Sequence, residues 1–177
     1  MSSDESSIVD KASDNVKNVK THEQSADSLK DLLSEVLVNA KFPDANTVVS
    51  GKLSADHIDK IAKAGIEHII NLQPESELSF DEKAAVEEAG IHYTHLPIAG
   101  AEDLKQINLL EFDKVLRANH GKKTLIHCGS GNRVGACIAL RAGWLRGRKM
   151  ETAIERGKEH GLSSLEEEVR MRLLVPR

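Results

Sequence analysis

The chain has 177 residues, a formal net charge of −4 and only 3% aromatic residues. This length suits one domain with a sizeable core, and the mixed charges provide neither a basic face for nucleic acid nor a polybasic patch for a membrane. No segment approaches the roughly 20 apolar residues of a membrane-spanning helix, and the first residues are too polar for a signal peptide. We therefore expect a cytoplasmic protein that binds neither nucleic acid nor membrane.

The beginning of the chain differs in composition from the rest. Its first 26 residues are dominated by Ser, Asp, Glu, Lys and Asn, with too few large apolar residues to bury. We predict a disordered polar tail at residues 1–26 and a single α/β domain at residues 27–177. Cys128 and Cys137 are the only cysteines, which is too few for a disulfide-stapled scaffold, so free thiols are expected.

Helices and strands are predicted to alternate along the domain. A helix begins near Leu29, with Ser25 or Asp27 as its cap, and residues 47–50 form a short strand. Ser54 opens a second helix.

The alternation continues beyond this second helix. Residues 66–72 are rich in β-formers, and Ser79 with Glu82 forms a capping box for a helix that Gly90 ends. Residues 91–98 make the next strand.

The last part of the domain repeats the pattern. Five apolar residues mark a further helix: Leu104, Ile107, Leu110, Val115 and Leu116. The remaining elements are a strand at residues 123–127, an apolar helix at 134–145 and polar helices at 151–160 and 164–174. This order predicts an α/β fold with a largely parallel central sheet flanked by helices. Ligands bind such sheets at the carboxyl ends of the strands, so we expect chemistry after His127.

The segment that follows His127 contains the residues of an anion-binding loop. Gly129 and Gly131 permit a tight turn whose backbone N–H groups can point at an anion, aided by the positive end of the next helix. These dipoles and Arg133 favour the thiolate of Cys128, which predicts a nucleophile. Arg133 can hold two oxygens of an oxyanion with its planar fork. The predicted oxyanion-binding loop comprises Gly129, Ser130, Gly131, Asn132 and Arg133.

These residues resemble a known superfamily. His127 and Cys128, followed by Gly131 and Arg133 before an Ala-rich helix, resemble the cysteine-dependent protein tyrosine and dual-specificity phosphatases, and within them the bacterial beta-lactamase-hydrolase-like phosphatase family. Upstream features extend this resemblance over about residues 43–148: Val49-Ser50-Gly51, Gly65, Ile69-Ile70-Asn71-Leu72, Gly90 and His95-Leu96-Pro97. The resemblance implies a tyrosine-phosphatase-like fold with the Cys-Arg loop between a central strand and a helix.

The resemblance also implies roles for individual residues. Cys128 attacks a phosphomonoester carried by a small molecule or a phosphoprotein, while the loop and Arg133 hold the phosphate oxygens. The general acid comes from the loop after the strand predicted at residues 91–98, where Asp103 is favoured over Glu102. The structural alternative for Asp103 is a cap for the helix predicted from Leu104. His127 is expected to order the loop.

Two departures leave alternatives open. Only four residues separate Cys128 from Arg133, one fewer than in the usual superfamily signature, and this length is also typical of rhodanese sulfurtransferases that carry a persulfide. Val134 stands where typical phosphatases have a hydroxyl that stabilises the leaving thiolate. A non-catalytic phosphate-binding domain is the third possibility. The histidines lack metal-ligand spacing, so no metal and no cofactor are predicted, and the oligomeric state stays open.

Overall fold

The structure is a computed structural model that describes residues 27–175. The predicted tail at residues 1–26 therefore lies outside the described residues. Five strands form one sheet: β1 (Lys41–Asp44), β2 (Thr47–Ser50), β3 (His68–Asn71), β4 (His92–His95) and β5 (Thr124–His127). Their order is β1-β2-β5-β3-β4, and only β1 runs antiparallel to its neighbour.

Helices cover both faces of the sheet. Their bounds are α1 (Leu29–Leu33), α2 (Ala55–Lys63), α3 (Glu82–Glu88), α4 (Gln106–Ala118), α5 (Asn132–Leu140), α6 (Met150–Glu159) and α7 (Glu166–Leu174). The buried residues of α1, α2 and α3 share one core cluster, and those of the later helices share a second. The predicted α/β fold with a largely parallel, helix-flanked sheet is confirmed. No helix within residues 27–175 is long and apolar enough to span a bilayer.

The central strands belong to both clusters because successive side chains of a strand point to opposite faces. In β5, Leu125 packs in the cluster of the early helices and Ile126 in the cluster of the later ones. The same alternation sends His127 towards the early helices and Cys128 towards the later ones. The alternation of the strand thus places His127 and Cys128, two adjacent residues of the candidate site, on opposite faces of the sheet.

Several predicted boundaries are wrong by a few residues. Ser28 caps α1, so the predicted cap Asp27 is wrong, and the other predicted cap, Ser25, lies outside the described residues. Asp81 caps α3, which removes the capping box predicted from Ser79 and Glu82.

Other corrections concern the strands and the later helices. Strand β1 was not predicted, and β4 ends at His95. In α4 the predicted apolar face is wrong in part, because Ile107 and Leu110 are exposed while Leu109 and Phe112 are buried. Val115 and Leu116 pack against the core as predicted. The predicted helix over 134–145 begins at Asn132 and widens after Leu140 into a π-helical turn.

Candidate active site

The Cys128 loop, defined as residues 128–133, connects the carboxyl end of the central strand β5 to α5. Cys128 is fully buried, and its Sγ accepts a hydrogen bond of 3.1 Å from the backbone N–H of Gly131. Gly131 has φ +98°, a left-handed conformation that L side chains rarely adopt, so glycine permits this turn. The loop therefore places a backbone donor within hydrogen-bonding distance of the sulfur.

Three carbonyls of the loop face away from the sulfur. The Gly129 carbonyl accepts the Lys52 N–H at 3.1 Å, the Ser130 carbonyl accepts the Asn39 side chain at 3.5 Å, and the Gly131 carbonyl accepts the Gly135 N–H at 3.0 Å. In a trans peptide the N–H points opposite to the C=O of the same unit. The N–H groups of residues 130–132 are thus directed to the inner side of the loop, where an oxyanion would sit.

Arg133 lies beside the loop and is held by two other segments. Its Nη1 and Nη2 donate to the two carboxylate oxygens of Glu77 at 3.0 and 2.7 Å, and Nη1 also donates to the Ile98 carbonyl at 2.8 Å. A Cβ at Gly129 would lie 2.9 Å from Nη2, so glycine gives the guanidinium its space. The hydrogen bond to Glu77 raises the pKa of Arg133, although burial opposes this, and the Cys128 charge adds to it.

Glu77 is a site residue that the sequence reasoning missed. It ends the 3₁₀ turn Glu75–Glu77, in the loop that follows β3. Its hydrogen bond with Arg133 lowers the pKa of Glu77 below the ordinary value, despite some burial. Strand β3 pairs in register with β5, so the residues that follow β3 lie near the Cys128 loop, which follows β5. A carboxylate soon after the end of β3 is therefore the signal that could have indicated Glu77.

Asp103 is joined to Arg133 through one peptide unit. The Ile98 carbonyl accepts from Arg133, and the N–H of the same unit, that of Ala99, donates to Asp103 Oδ2 at 2.8 Å. Lys105 occupies the N-cap position of α4, so the alternative of Asp103 as the cap of that helix is wrong. The structure thus brings Asp103 to the edge of the site, within the 3₁₀ turn Ala101–Asp103.

His127 contacts a second acid that the sequence reasoning did not place at the site. Its Nε2 lies 2.7 Å from Glu82 Oε2, and both side chains are fully buried. Its Nδ1 lies 3.5 Å from the Cys128 carbonyl oxygen. A buried hydrogen-bonded pair therefore packs behind the loop, on the sheet face opposite to Cys128. Buried polar groups that have partners fix local geometry, which fits a role in ordering the loop.

The remaining loop side chains have different environments. Asn132 hydrogen-bonds with its side chain to Ser163, Ser164 and Leu165, so only its backbone N–H faces the loop interior. The Ser130 side chain is exposed.

Two further side chains near the loop are apolar in character. Val134 is fully buried in the core, as is Cys137, whose pKa is raised to about 12 by burial. Cys137 is thus a core residue. No group of three or more His, Cys, Asp and Glu side chains within residues 27–175 could hold a metal ion.

Comparisons with known proteins agree with this geometry. The model of a family described as "Swiss Army Knife protein, DSP-PTPase phosphatase domain" matches residues 40–172. A beta-lactamase hydrolase-like protein of Xylella fastidiosa (strain Temecula1) is 30% identical over 129 residues, which are 68% of this chain and 29% of that protein. The chain therefore spans less than a third of the length of this curated relative.

Solved structures show the same fold. A protein of Neisseria meningitidis Z2491, provisionally described as a phosphatase, superposes with a TM-score of 0.62 and 26% identity, over 75% of this chain and 94% of that one. The active form of Tk-PTP superposes with a TM-score of 0.60 and 25% identity, over 77% and 93% of the respective chains.

Proposed function

The chain belongs to the DSP-PTPase phosphatase domain family of the Swiss Army Knife type, and we propose on this premise that it hydrolyses phosphomonoesters with Cys128 as nucleophile. The observation that carries the proposal is the loop geometry. A buried sulfur accepts a backbone N–H, the N–H groups of residues 130–132 are directed to the inner side of the loop, and Arg133 lies beside it. These are the parts that a phosphoryl transfer needs, since it depends on positioning and on stabilising charge.

Arg133 retains donors for a substrate although Glu77 and Ile98 occupy part of its guanidinium. A guanidinium has five N–H donors. Two of them serve Glu77 and a third serves the Ile98 carbonyl, which leaves the Nε–H and one Nη2–H. These two donors lie parallel on one edge of the plane and match two phosphate oxygens. Glu77 therefore orients Arg133 without blocking its bidentate edge.

The proposed reaction has two steps. Cys128 Sγ forms a bond to phosphorus as the ester P–O bond breaks, and Asp103 donates a proton to the leaving oxygen. Water then attacks the phosphocysteine, Asp103 takes its proton, and phosphate leaves with the thiolate restored. The contact of Asp103 with the peptide unit that Arg133 also holds supports its choice as the acid. Substrates are phosphorylated small molecules or phosphoproteins.

The short loop keeps a sulfurtransferase as the second candidate. Four residues between Cys128 and Arg133 give fewer inward N–H groups than the usual signature, which suits a smaller occupant such as a persulfide sulfur. The clamp formed by Arg133 and Glu77 favours phosphate instead, because a planar fork fixed at the rim recognises a tetrahedral oxyanion.

The test is turnover of p-nitrophenyl phosphate and a phosphotyrosine peptide by the wild type, Cys128→Ser and Arg133→Lys. We expect Cys128→Ser to abolish turnover but to keep phosphate affinity, because the N–H groups remain while the hydroxyl is not ionised near neutral pH. Arg133→Lys keeps the charge and loses the fork, so phosphate and vanadate affinity should fall. Comparable turnover by the wild type and Cys128→Ser would contradict the proposal.

The same protein tests the alternatives. Thiosulfate should leave no stable persulfide on Cys128, which mass spectrometry of the intact chain measures directly. If the protein turned over thiosulfate and cyanide many times and bound neither phosphate nor vanadate, the sulfurtransferase hypothesis would be favoured over the phosphatase hypothesis. Phosphate binding without any turnover would favour a non-catalytic phosphate-binding domain.

A further inference from the structure

A second candidate site lies at the opposite end of the sheet from Cys128. Two adjoining cavities of about 420 and 780 Å³ open beside the amino ends of β2 and β5. We call them together the basal cavity. Both share the lining residues Asp44, Leu116, His120, Ile138, Arg141 and His160. Their size falls in the range of small-molecule sites.

Three arginines at the basal cavity surround one carboxylate. Asp113 Oδ1 accepts from Arg141 Nε at 2.8 Å and from Arg146 Nη2 at 3.1 Å, and Oδ2 accepts from Arg117 Nε at 2.9 Å. Burial alone would raise the pKa of Asp113, but the hydrogen bonds and charges of the arginines outweigh it and hold the pKa below its ordinary value. Asp113 is therefore the ionised anchor of the cluster.

The cluster has more positive charge than its anchor neutralises. Three guanidinium groups on one carboxylate leave an excess of two positive charges, and Arg156 on α6 lines the same cavity. A structural ion pair needs one arginine, and each additional one adds repulsion between like charges. An anion placed among the arginines would relieve this repulsion. Asp44 and Glu159 also line the cavity and reduce the excess without removing it.

The arginines also keep donors available. Arg117 and Arg141 use only Nε for Asp113, and no hydrogen bond within residues 27–175 uses their terminal nitrogens. These terminal groups are the ones that bind phosphate or carboxylate oxygens in a bidentate manner. Arg141 is half-buried, so its geometry is fixed before any ligand arrives.

The backbone that carries the cluster is irregular in a specific way. The segment Arg141–Leu145 forms a π-helical turn, in which the Arg146 N–H bonds to the Arg141 carbonyl. A π-turn widens a helix and is frequent at functional sites. Here it brings Arg141 and Arg146 to the same carboxylate oxygen, which the regular spacing of an α-helix would not do for residues five apart.

An apolar wall lies next to the arginines. Leu116 and Ile138 line both parts of the basal cavity, and Ile126 extends the wall in the smaller part. We propose that the basal cavity binds a small organic polyphosphate, with phosphates on Arg141, Arg146 and Arg156 and an apolar or flat group against Leu116 and Ile138. This site is independent of the Cys128 loop.

Calorimetry with ATP, inorganic tripolyphosphate and adenosine tests the proposal on the full chain. We expect one ATP in the basal cavity of each chain, roughly tenfold weaker binding of tripolyphosphate there because it lacks a group for the apolar wall, and no binding of adenosine at the same concentrations. ATP affinity should fall as salt increases, because exposed charges are screened. Failure of both ATP and tripolyphosphate to bind would overturn the site, and equal affinities would overturn the role of the apolar wall.

Variants separate this site from the Cys128 loop. Arg146→Gln and Arg156→Gln, both at exposed positions, should each weaken ATP about tenfold or more, while thermal denaturation verifies that they stay folded. The exposed Arg148→Gln, outside the lining, is the matched control and should change affinity less than twofold. Arg133→Lys should leave the ATP affinity of the basal cavity unchanged, because Arg133 lies at the other end of the sheet. Loss of ATP binding in Arg133→Lys, with no loss in Arg146→Gln or Arg156→Gln, would move the anion to the Cys128 loop and overturn the proposal.

Discussion

The buried pair of Glu82 and His127 gives the sharpest prediction about the scaffold of the Cys128 loop. Glu82→Ala removes the acceptor of His127 Nε2, and both side chains are fully buried with their polar atoms 2.7 Å apart. The loss therefore includes the desolvation of an unsatisfied imidazole as well as the hydrogen bond itself.

The expected size follows from the chemistry of the pair. Removal of one member of a buried ion pair costs about 3–5 kcal/mol, and removal of one member of a neutral hydrogen bond costs about 1–3 kcal/mol. At about 2–4 °C per kcal/mol for a domain of this size, the ion pair corresponds to a melting temperature lower by about 6–20 °C. Glu82→Gln keeps the shape and an amide oxygen, so it should lose less than Glu82→Ala.

Urea denaturation measures these differences, and Glu88→Ala is the control. Glu88 lies on the same helix and is exposed, so its substitution should change the free energy of unfolding by less than about 0.5 kcal/mol. A double-mutant cycle with His127→Ala should give a coupling energy of at least about 1 kcal/mol. Equal stability of Glu82→Ala and Glu88→Ala would refute the assignment of a structural role to this pair.

Three further outcomes are expected. Asp103→Asn should slow hydrolysis of alkyl phosphates about 10²–10⁴-fold and that of p-nitrophenyl phosphate much less, because only a poor leaving group needs the proton. Equal losses on both substrates would show that Asp103 is not the general acid. Gly135→Ala places a Cβ 2.1 Å from the Leu162 backbone N, so urea denaturation should show that the free energy of unfolding falls by at least about 1–3 kcal/mol. Gly143→Ala should lower it less, because the new Cβ there meets only the flexible side chain of Leu173. Burial lowers the pKa of His68 to about 4, so between about pH 4 and 6.5 the imidazole is protonated in the unfolded chain but neutral in the folded one. The free energy of unfolding should therefore be highest above pH 6.5 and fall towards pH 4. His68→Gln should flatten this pH dependence.

The position of the Cys128 loop could be predicted because it depends on local patterns. Short apolar segments alternating with helical periodicity indicate a parallel sheet, and such a sheet places ligands at the carboxyl ends of its strands. The small residues between Cys128 and Arg133 then mark the turn itself. Strand β5 ends at His127 as predicted, so these signals were sufficient for the fold and for the backbone of the loop.

The role of Glu82 could not be predicted from the sequence because it depends on a shift of two residues in the start of the helix. Ser79 and Glu82 have the spacing of a capping box, which predicts an exposed acid in the first turn. The helix is capped by Asp81 instead, so Glu82 occupies its first position and turns inward. Its partner His127 lies 45 residues away in the chain. Only the packing of α3 against the sheet brings the two together.

The same limit applies to Glu77, whose loop is irregular and has no periodic pattern. Its carboxylate meets Arg133 because β3 and β5 are neighbours, although the two residues are 56 positions apart. A pattern based on strands can place both loops at one edge of the sheet. It cannot choose among Glu75, Glu77 and Asp81 as the partner, since that choice depends on loop conformation.

The proposed general acid, Asp103, is connected to Arg133 through the backbone. One peptide unit accepts from Arg133 at the Ile98 carbonyl and donates to Asp103 through the Ala99 N–H. A change at Asp103 that removes this acceptor would also loosen the unit that holds Arg133, and it would lower phosphate affinity for a reason unrelated to proton transfer. Asp103→Asn keeps an oxygen for the Ala99 N–H and removes only the transferable proton. Asp103→Ala should therefore weaken phosphate binding as well as turnover, whereas Asp103→Asn should affect turnover alone.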